Sequence, residues 1–234
     1  LIIRIVMNMW RKLYASTCTL FICCLILLQS GYALQVTSIP PLLDVPTYSL
    51  ATRDDDDGGR TCMNILTYAT PVSILPDRIW SIGLYKGTVT HENFSKSKKG
   101  VLQLLSPEHS KIVALLGGKS NREVDKRSEC QKLGFEWRSL SSSSFTDSHN
   151  SESTSTSTTN NKHEEWPELL PNCACYLFIT LVGNLIDCGS HDVALCKVQA
   201  IMVGDGKDAP SSTYLNTSSL RDMGIITDKG RVAE

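Results

Sequence analysis

The chain has 234 residues, and its 23 Lys and Arg against 24 Asp and Glu give a net charge of −1. This length suits one domain with additional segments. The small, scattered charge excludes a protein that recruits nucleic acid through a strongly basic field. An apolar content of 41% is ordinary for a globular protein and predicts a folded core.

The first 33 residues have the layout of a targeting leader. Arg11 and Lys12 precede an apolar run over residues 13–28, and small residues follow at 31 and 33. The run is shorter than the ~18–20 residues that a membrane-spanning helix needs. We expect a signal peptide that leads into the secretory pathway, and such a leader can also open a two-part plastid address. An uncleaved membrane anchor and a later start at Met7 or Met9 are the alternatives.

A proline-bearing lead-in over residues 34–45 comes before the domain, which is predicted over residues 46–203. Tyr48–Thr52 is the first strand candidate. The four aspartates Asp54–Asp57 lack the spacing and the terminal glutamate of a calcium loop. With the two glycines that follow, they predict an exposed hairpin loop.

The stretch from Met63 to Asn93 is the most informative part of the chain. Its apolar and β-branched residues favour two strands, Met63–Ile74 and Ile79–Tyr85, on either side of a turn at Pro76 and Asp77. Gly87 ends the second strand and leads into a helix.

The start of that helix is a candidate phosphate site. Thr88 or Thr90 can cap it, and a helix start presents free N–H groups and the positive end of a dipole. Lys86 adds a positive charge at the same place, so the junction predicts a seat for a phosphate. A strand–helix junction without a ligand is the alternative.

Three further elements precede a polar tract. Gly100–Leu105 is a strand candidate, and Pro107–Leu116 is a helix that Gly117 and Gly118 end. Asn121–Leu133 is a third helix, whose charged residues, Lys126 among them, predict a largely polar surface. Ser139–Lys162 is rich in Ser, Thr, Asn and Glu, and it predicts a disordered insertion.

The last part of the domain carries a predicted hairpin. Ala174–Cys188 is one long strand, or two strands with a kink at Gly183. His191–Val203 is the strand that pairs with it. The tail over residues 204–234 is polar, with a short helix predicted at Ser218–Met223.

Four segments resemble, in their order and spacing, the flavin reductase-like family, the FMN-binding split β-barrels. They are Pro46–Thr52, Met63–Asn93, Gly100–Leu105 and Gly189–Leu195, the last being similar to a Gly-Asp-His strand opening. The resemblance implies a mainly-β split barrel with a few peripheral α-helices. It also implies FMN as cofactor and a homodimer with the flavin near the interface.

The resemblance assigns roles to seven residues. Thr67 and Tyr68 correspond to contacts at the flavin ring edge, and the phosphate contacts fall on Lys86, Thr88 and Thr90, with Asn93 close by. His191 corresponds to a histidine near the flavin, where hydride is delivered. The family's usual acid before this histidine is Ser190 here, which weakens any carboxylate–histidine pair.

We therefore expect an NAD(P)H-dependent flavin reductase that transfers hydride to flavin. No Gly-x-Gly-x-x-Gly turn is present, so a nicotinamide cofactor would bind without a Rossmann domain. The cysteines lack zinc-ligand spacing, and no metal site is predicted. Cys173 and Cys175 are expected to face the same side of a strand. The alternative function is an FMN-binding, storage or partner-docking barrel without reductase turnover, which Ser190 favours.

Overall fold

The computed structural model describes residues 41–140, 166–203 and 213–233. The predicted leader, residues 34–40 of the lead-in and most of the predicted insertion at 139–162 lie outside these residues. Within the described ranges, no helix is both long enough and apolar enough to cross a membrane.

Antiparallel strands dominate the described part of the chain, with four α-helices around them. The strands are β1 (Tyr48–Asp54), β2 (Arg60–Leu66), β3 (Ala69–Ser73), β4 (Ile79–Tyr85), β5 (Lys99–Leu104), β6 (Cys175–Leu181), β7 (Ile186–Cys188) and β8 (His191–Val203). The helices are α1 (Val89–Ser97), α2 (Ser110–Gly118), α3 (Lys126–Lys132) and α4 (Thr217–Asp222), and a 3-10 turn spans Pro107–His109. The eight strands form one sheet in the order β2-β1-β5-β6-β8-β4-β3, with β7 paired to β8.

Strand alternation divides the apolar residues between two cores. Along β1, Leu50 faces the inside of the barrel while Ala51 faces the outer layer of helices. The inner core is closed by Phe94 of α1 and comprises Tyr48, Leu50, Ile82, Leu84, Phe94, Leu102, Leu177, Ile179, Ala194 and Cys196. The outer core packs α2, α3 and α4 against the other face of the sheet.

The predicted strand Met63–Ile74 is wrong in one respect, because the structure divides it into β2 and β3 at Thr67 and Tyr68. β2 pairs with β1, whereas β3 pairs with β4. The two strands therefore lie at opposite ends of the sheet order, and the chain must turn between them. This turn forms one wall of the site described below.

The third helix differs from its prediction in both length and surface. It begins at Lys126, after Asp125 caps it by accepting a hydrogen bond from the Ser128 amide, so residues 121–125 are not helical. Lys126 is only 3% exposed, which contradicts its assignment to a polar surface. The helix packs against the C-terminal end of α2, and this contact encloses the lysine.

The remaining strand predictions are close to the structure. The segment Ala174–Cys188 forms two strands, as the second of its two predictions states. Gly183 lies between them with a φ of 73°, which suits glycine. Strand β8 has the predicted bounds, and the capping role of Thr88 is confirmed. Cys173 lies in the outer core while Cys175 packs against the inner one, so their predicted common face is wrong. Cys173 precedes β6 and does not follow its alternation.

The segment after residue 212 completes the barrel's packing. Leu215 and Leu220 are each 1% exposed. The Thr47 amide donates to the Leu215 carbonyl at 2.8 Å, and the Leu215 amide donates to the Leu105 carbonyl at 2.8 Å. The predicted short helix is present as α4, one residue earlier at each end.

Candidate functional site

A shallow cavity lies on the outer face of the sheet where β3, β4 and β8 meet. Its volume is about 420 Å³, which is within the usual range for small-molecule sites. On β4 and β8 the residues that face it alternate with residues of the inner core. The lining contains no aspartate, glutamate, lysine or arginine and comprises Thr67, Tyr68, Ala69, Thr70, Ser81, Gly83, His191 and Val193.

The wall formed by Thr67 and Tyr68 depends on a glycine opposite. The Gly83 amide donates to the Tyr68 carbonyl at 2.8 Å. A Cβ atom at Gly83 would lie 3.0 Å from Tyr68 Cβ, so a side chain there would force the tyrosine to shift. Gly83 therefore allows the β2–β3 turn to lie close against β4, and Tyr68 remains 65% exposed above the cavity.

His191 lies between two tyrosines at the mouth of the cavity. Its ring centroid is 5.5 Å from that of Tyr68 and 5.1 Å from that of Tyr85, both with edge-on geometry. The Ser190 hydroxyl lies 3.0 Å from His191 Nδ1. The serine that replaces the family's acid is therefore itself a partner of the imidazole. Tyr68 and His191 line the cavity, and Tyr85 contacts the imidazole ring.

The predicted phosphate seat is the N-terminus of α1. The Thr88 hydroxyl accepts a hydrogen bond from the His91 amide at 3.2 Å and donates to the Tyr85 carbonyl at 2.9 Å. Thr90 and Asn93 are 5% and 4% exposed. Asn93 lies beside the thiol of Cys62 under the helix, away from the end that the other residues share.

Lys86 lies beside this helix start in a cluster of charges, which we call the Lys86 cluster: Lys86, His91, Asp187 and Asp192. Lys86 Nζ is 2.8 Å from Asp187 Oδ1 and 3.2 Å from Asp192 Oδ1. The second aspartate also contacts His91 Nε2 at 2.8 Å. The cluster joins the end of β4, the first turn of α1 and the hairpin between β7 and β8.

The ion pairs shift the ionisation of the cluster in the expected directions. The hydrogen bond to Asp187 is the main cause that raises the pKa of Lys86. The same contact, with the Gly189 amide, lowers the pKa of Asp187, while the hydrogen bond from His91 is the main cause that lowers the pKa of Asp192. All three side chains are thus held in their charged forms at neutral pH.

The site fits a flavin nucleotide in two unequal parts. The uncharged cavity with hydroxyls and strand backbone suits a planar heteroaromatic ring, and the α1 terminus with Lys86 suits a phosphate. Roughly 10 Å of extended chain separates Gly83 from Lys86, at about 3.3 Å per residue. The seat also holds two carboxylates that an incoming anion would meet.

Sequence reasoning missed both carboxylates. Asp192 follows the predicted histidine directly, and strand alternation would have placed it on the opposite face, toward α1. Asp187 lies in the predicted hairpin, but nothing in its local pattern indicates a partner at residue 86. Of the predicted site residues, the structure brings Thr67, Tyr68 and His191 together, and Lys86 and Thr88 together.

The sheet order, the inner core and the cavity on the outer face define a mainly-β split barrel. The flavin reductase like domain matches residues 44–221, and the chain therefore belongs to that family. Membership indicates a flavin-related oxidoreductase. No curated protein matches the chain.

Solved structures share this fold at low sequence identity. Flavoredoxin from Methanosarcina acetivorans aligns with a TM-score of 0.54 and 13% identity, covering 75% of this chain and 77% of its own. An FMN-binding protein from Thermus thermophilus has a TM-score of 0.52, 15% identity and coverages of 75% and 82%. An NADH:FAD oxidoreductase from Streptomyces globisporus aligns with a TM-score of 0.50 and 13% identity, covering 69% of this chain and 76% of its own. These likenesses establish the split-barrel architecture.

Proposed function

We propose that this protein binds FMN and acts as an NAD(P)H-dependent flavin reductase. The observation that carries the proposal is that one strand, β4, leads from the cavity to the start of α1. The uncharged cavity lies at Ser81 and Gly83, and the same strand ends at Tyr85, directly before Lys86 and the start of α1. A site for an aromatic ring, followed along the chain by a site for an anion, matches the two chemically different ends of a flavin mononucleotide.

Each part of the site has a task that its geometry supports. The turn at Thr67 and Tyr68 would hold the ring edge, since it offers backbone groups and hydroxyls beside the cavity. The helix start and Lys86 would hold the phosphate. A bound flavin supplies the hydride-accepting chemistry, and the protein supplies binding, orientation and electrostatics.

His191 is the residue that we assign to the hydride-transfer region. The Ser190 hydroxyl engages Nδ1 and fixes the orientation of the ring. Nε2 is therefore the ring nitrogen that we assign to ligand contact, where it would orient a nicotinamide or donate a hydrogen bond. Tyr68 and Tyr85 hold the imidazole from two sides, which restricts its motion.

The proposal is tested on the purified full-length chain. We expect visible flavin absorbance after reconstitution with FMN, and loss of that absorbance when NADH or NADPH is added without oxygen. His191→Ala should keep the flavin and slow the bleaching. Binding of FAD alone would contradict the choice of FMN, and failure to bind either flavin would overturn the proposal.

A second candidate function is flavin binding without reductase turnover. The observation that favours it is Ser190, because the hydroxyl at this position cannot supply the charge of the family's usual acid. The same assay separates the two candidates. A flavin-loaded protein that neither nicotinamide nucleotide bleaches would identify a binding or partner-docking protein.

We further propose that the protein is a homodimer formed through the β3 side of the barrel. β3 is an edge strand, and the loop after it exposes Ile74 and Leu75 by 71% and 82%. Val72 on the strand itself is 58% exposed. A second copy would cover this apolar edge. Light scattering should give twice the chain mass, and Leu75→Asp should lower it toward the monomer.

A further inference from the structure

The two aspartates of the Lys86 cluster contact the same ammonium but differ in how firmly they are held. The Asp192 side chain is 14% exposed, whereas that of Asp187 is 77% exposed. Both oxygen–nitrogen distances are those of ion pairs. Because their exposures differ, the two carboxylates should affect the binding of a ligand to Lys86 in different ways.

Asp192 has the geometry of a fixed support. One carboxylate oxygen contacts Lys86 Nζ at 3.2 Å, and the other contacts His91 Nε2 at 2.8 Å. His91 belongs to the first turn of α1, and the Lys86 amide donates to the Ser190 carbonyl at 3.1 Å. Asp192 therefore ties the lysine to both the helix and β8 and sets where its ammonium lies.

Asp187 has the geometry of a displaceable competitor. Its Oδ1 accepts from the Gly189 amide at 2.8 Å and from Lys86 at 2.8 Å. The amide contact belongs to the β7–β8 turn and does not depend on the lysine. A solvent-exposed ion pair of this kind is weak and screened by salt, so another anion can take its place.

The carboxylates around the predicted phosphate site outnumber the cations, so competition for Lys86 affects anion binding there. Arg122 is a second cation close to the helix start, and its Nη2 donates to both carboxylate oxygens of Glu92, at 2.7 and 2.6 Å. Two cations thus stand beside three carboxylates: Glu92, Asp187 and Asp192. A flavin phosphate brings a further charge of about −1.5 to −2 at neutral pH, whereas riboflavin brings none.

We propose that Asp187 is a specificity-determining residue, which competes with the flavin phosphate for the Lys86 ammonium while Asp192 holds that ammonium in position. The inference deepens the proposed function and rests on it. Asp187 selectively weakens the binding of phosphorylated flavin and leaves the binding of the unphosphorylated ring unchanged. It narrows the affinity difference between FMN and riboflavin.

The test compares the full-length protein with Asp187→Asn, which keeps the oxygen that accepts from Gly189 and removes the charge. FMN and riboflavin are titrated separately, with flavin fluorescence as the signal. We expect Asp187→Asn to bind FMN about two- to fivefold more tightly, as for the loss of one exposed competing charge. Its riboflavin affinity should be unchanged, and the FMN gain should shrink in high salt.

Two further variants sharpen the result. Asp77→Asn is the matched control, because Asp77 forms a comparable exposed pair with Lys197 at 2.7 Å. It should change neither affinity. Asp192→Asn should weaken FMN binding, because Lys86 loses its support, and a thermal melt reports whether this variant remains folded.

The outcomes separate this inference from the proposed function. If wild type binds FMN and Asp187→Asn binds it equally or more weakly, competition is overturned and the proposed function stands. If Asp187→Asn binds FMN and riboflavin more tightly by the same factor, the effect does not concern the phosphate, and the inference also fails. If no variant binds either flavin, the proposed function is overturned, and the role of Asp187 with it.

Discussion

Two lysines of this barrel, Lys86 and Lys126, occupy opposite environments. Lys86 lies at the surface between two carboxylates, which raise the pKa of its ammonium. Lys126 is 3% exposed and donates to the backbone carbonyls of Met63 at 3.0 Å and Leu116 at 2.6 Å. Burial is the main cause that lowers the pKa of Lys126 to about 8.

The difference shows what each lysine does for the molecule. Leu116 lies in the last turn of α2, where carbonyl groups lack helical partners, and Lys126 satisfies one of them. Its second bond joins that helix end to β2. Lys126 therefore holds a layer of the fold together, whereas Lys86 presents charge to solvent and to any ligand.

The largest expected effect that tests this comparison is the change with pH in the free energy of unfolding, caused by the buried Lys126. The pKa of Lys126 is lowered from 10.5 to about 8 in the folded chain. Between these values the unfolded chain binds more protons, so the contribution of Lys126 to stability rises with pH. We therefore expect the free energy of unfolding of wild type, minus that of Lys126→Met, to rise by about 3 kcal/mol between these two pH values.

Urea unfolding at pH 7.5, 8.5, 9.5 and 10 measures that difference. Taking the difference matters, because burial raises the pKa of Cys196 to about 12, and this thiol reduces stability at high pH in both proteins. Lys132→Met on the same helix is the control, since its side chain is 65% exposed. A flat difference for Lys126→Met would contradict the buried assignment.

The next effect concerns packing at neutral pH. Lys126→Ala removes a buried aliphatic stem and leaves two carbonyls without their donor. We expect the free energy of unfolding to fall by about 2 kcal/mol. Lys132→Ala should change it by no more than about 0.5 kcal/mol. Equal values for the two alanine variants would mean that Lys126 is solvated in solution.

The fold was largely predictable because its signals are local. The turn at Pro76, the cap at Thr88 and the alternation of β8 each depend on a few neighbouring residues. The division between β2 and β3 was not predictable from the apolar pattern. It depends on strand partners at opposite ends of the sheet, which no local pattern encodes.

The environments of the two lysines were not predictable for the same reason. Lys126 lies among charged residues in the sequence, and a polar helix surface was the natural interpretation. Packing of α3 against α2 overrides it. At the candidate site, the predicted phosphate seat included Lys86 but neither of its carboxylate partners, because the β7–β8 hairpin brings them from a hundred residues or so away along the chain.

The smallest expected effect on stability is at Lys86, where a substitution should instead lower the affinity for FMN. Lys86→Met should leave the melting temperature near that of wild type, because its pair with Asp187 is exposed and Asp192 keeps its contact with His91. Under the proposed function it should weaken FMN binding by about tenfold, since a charge-assisted contact is lost and two carboxylates remain beside the phosphate. Lys197→Met, at the other end of the β4–β8 pair, should leave FMN affinity unchanged. Calorimetric titration with FMN and a thermal melt of each variant measure both quantities. A large loss of stability in Lys86→Met with unchanged FMN affinity would reverse the comparison and make Lys86 a structural residue like Lys126.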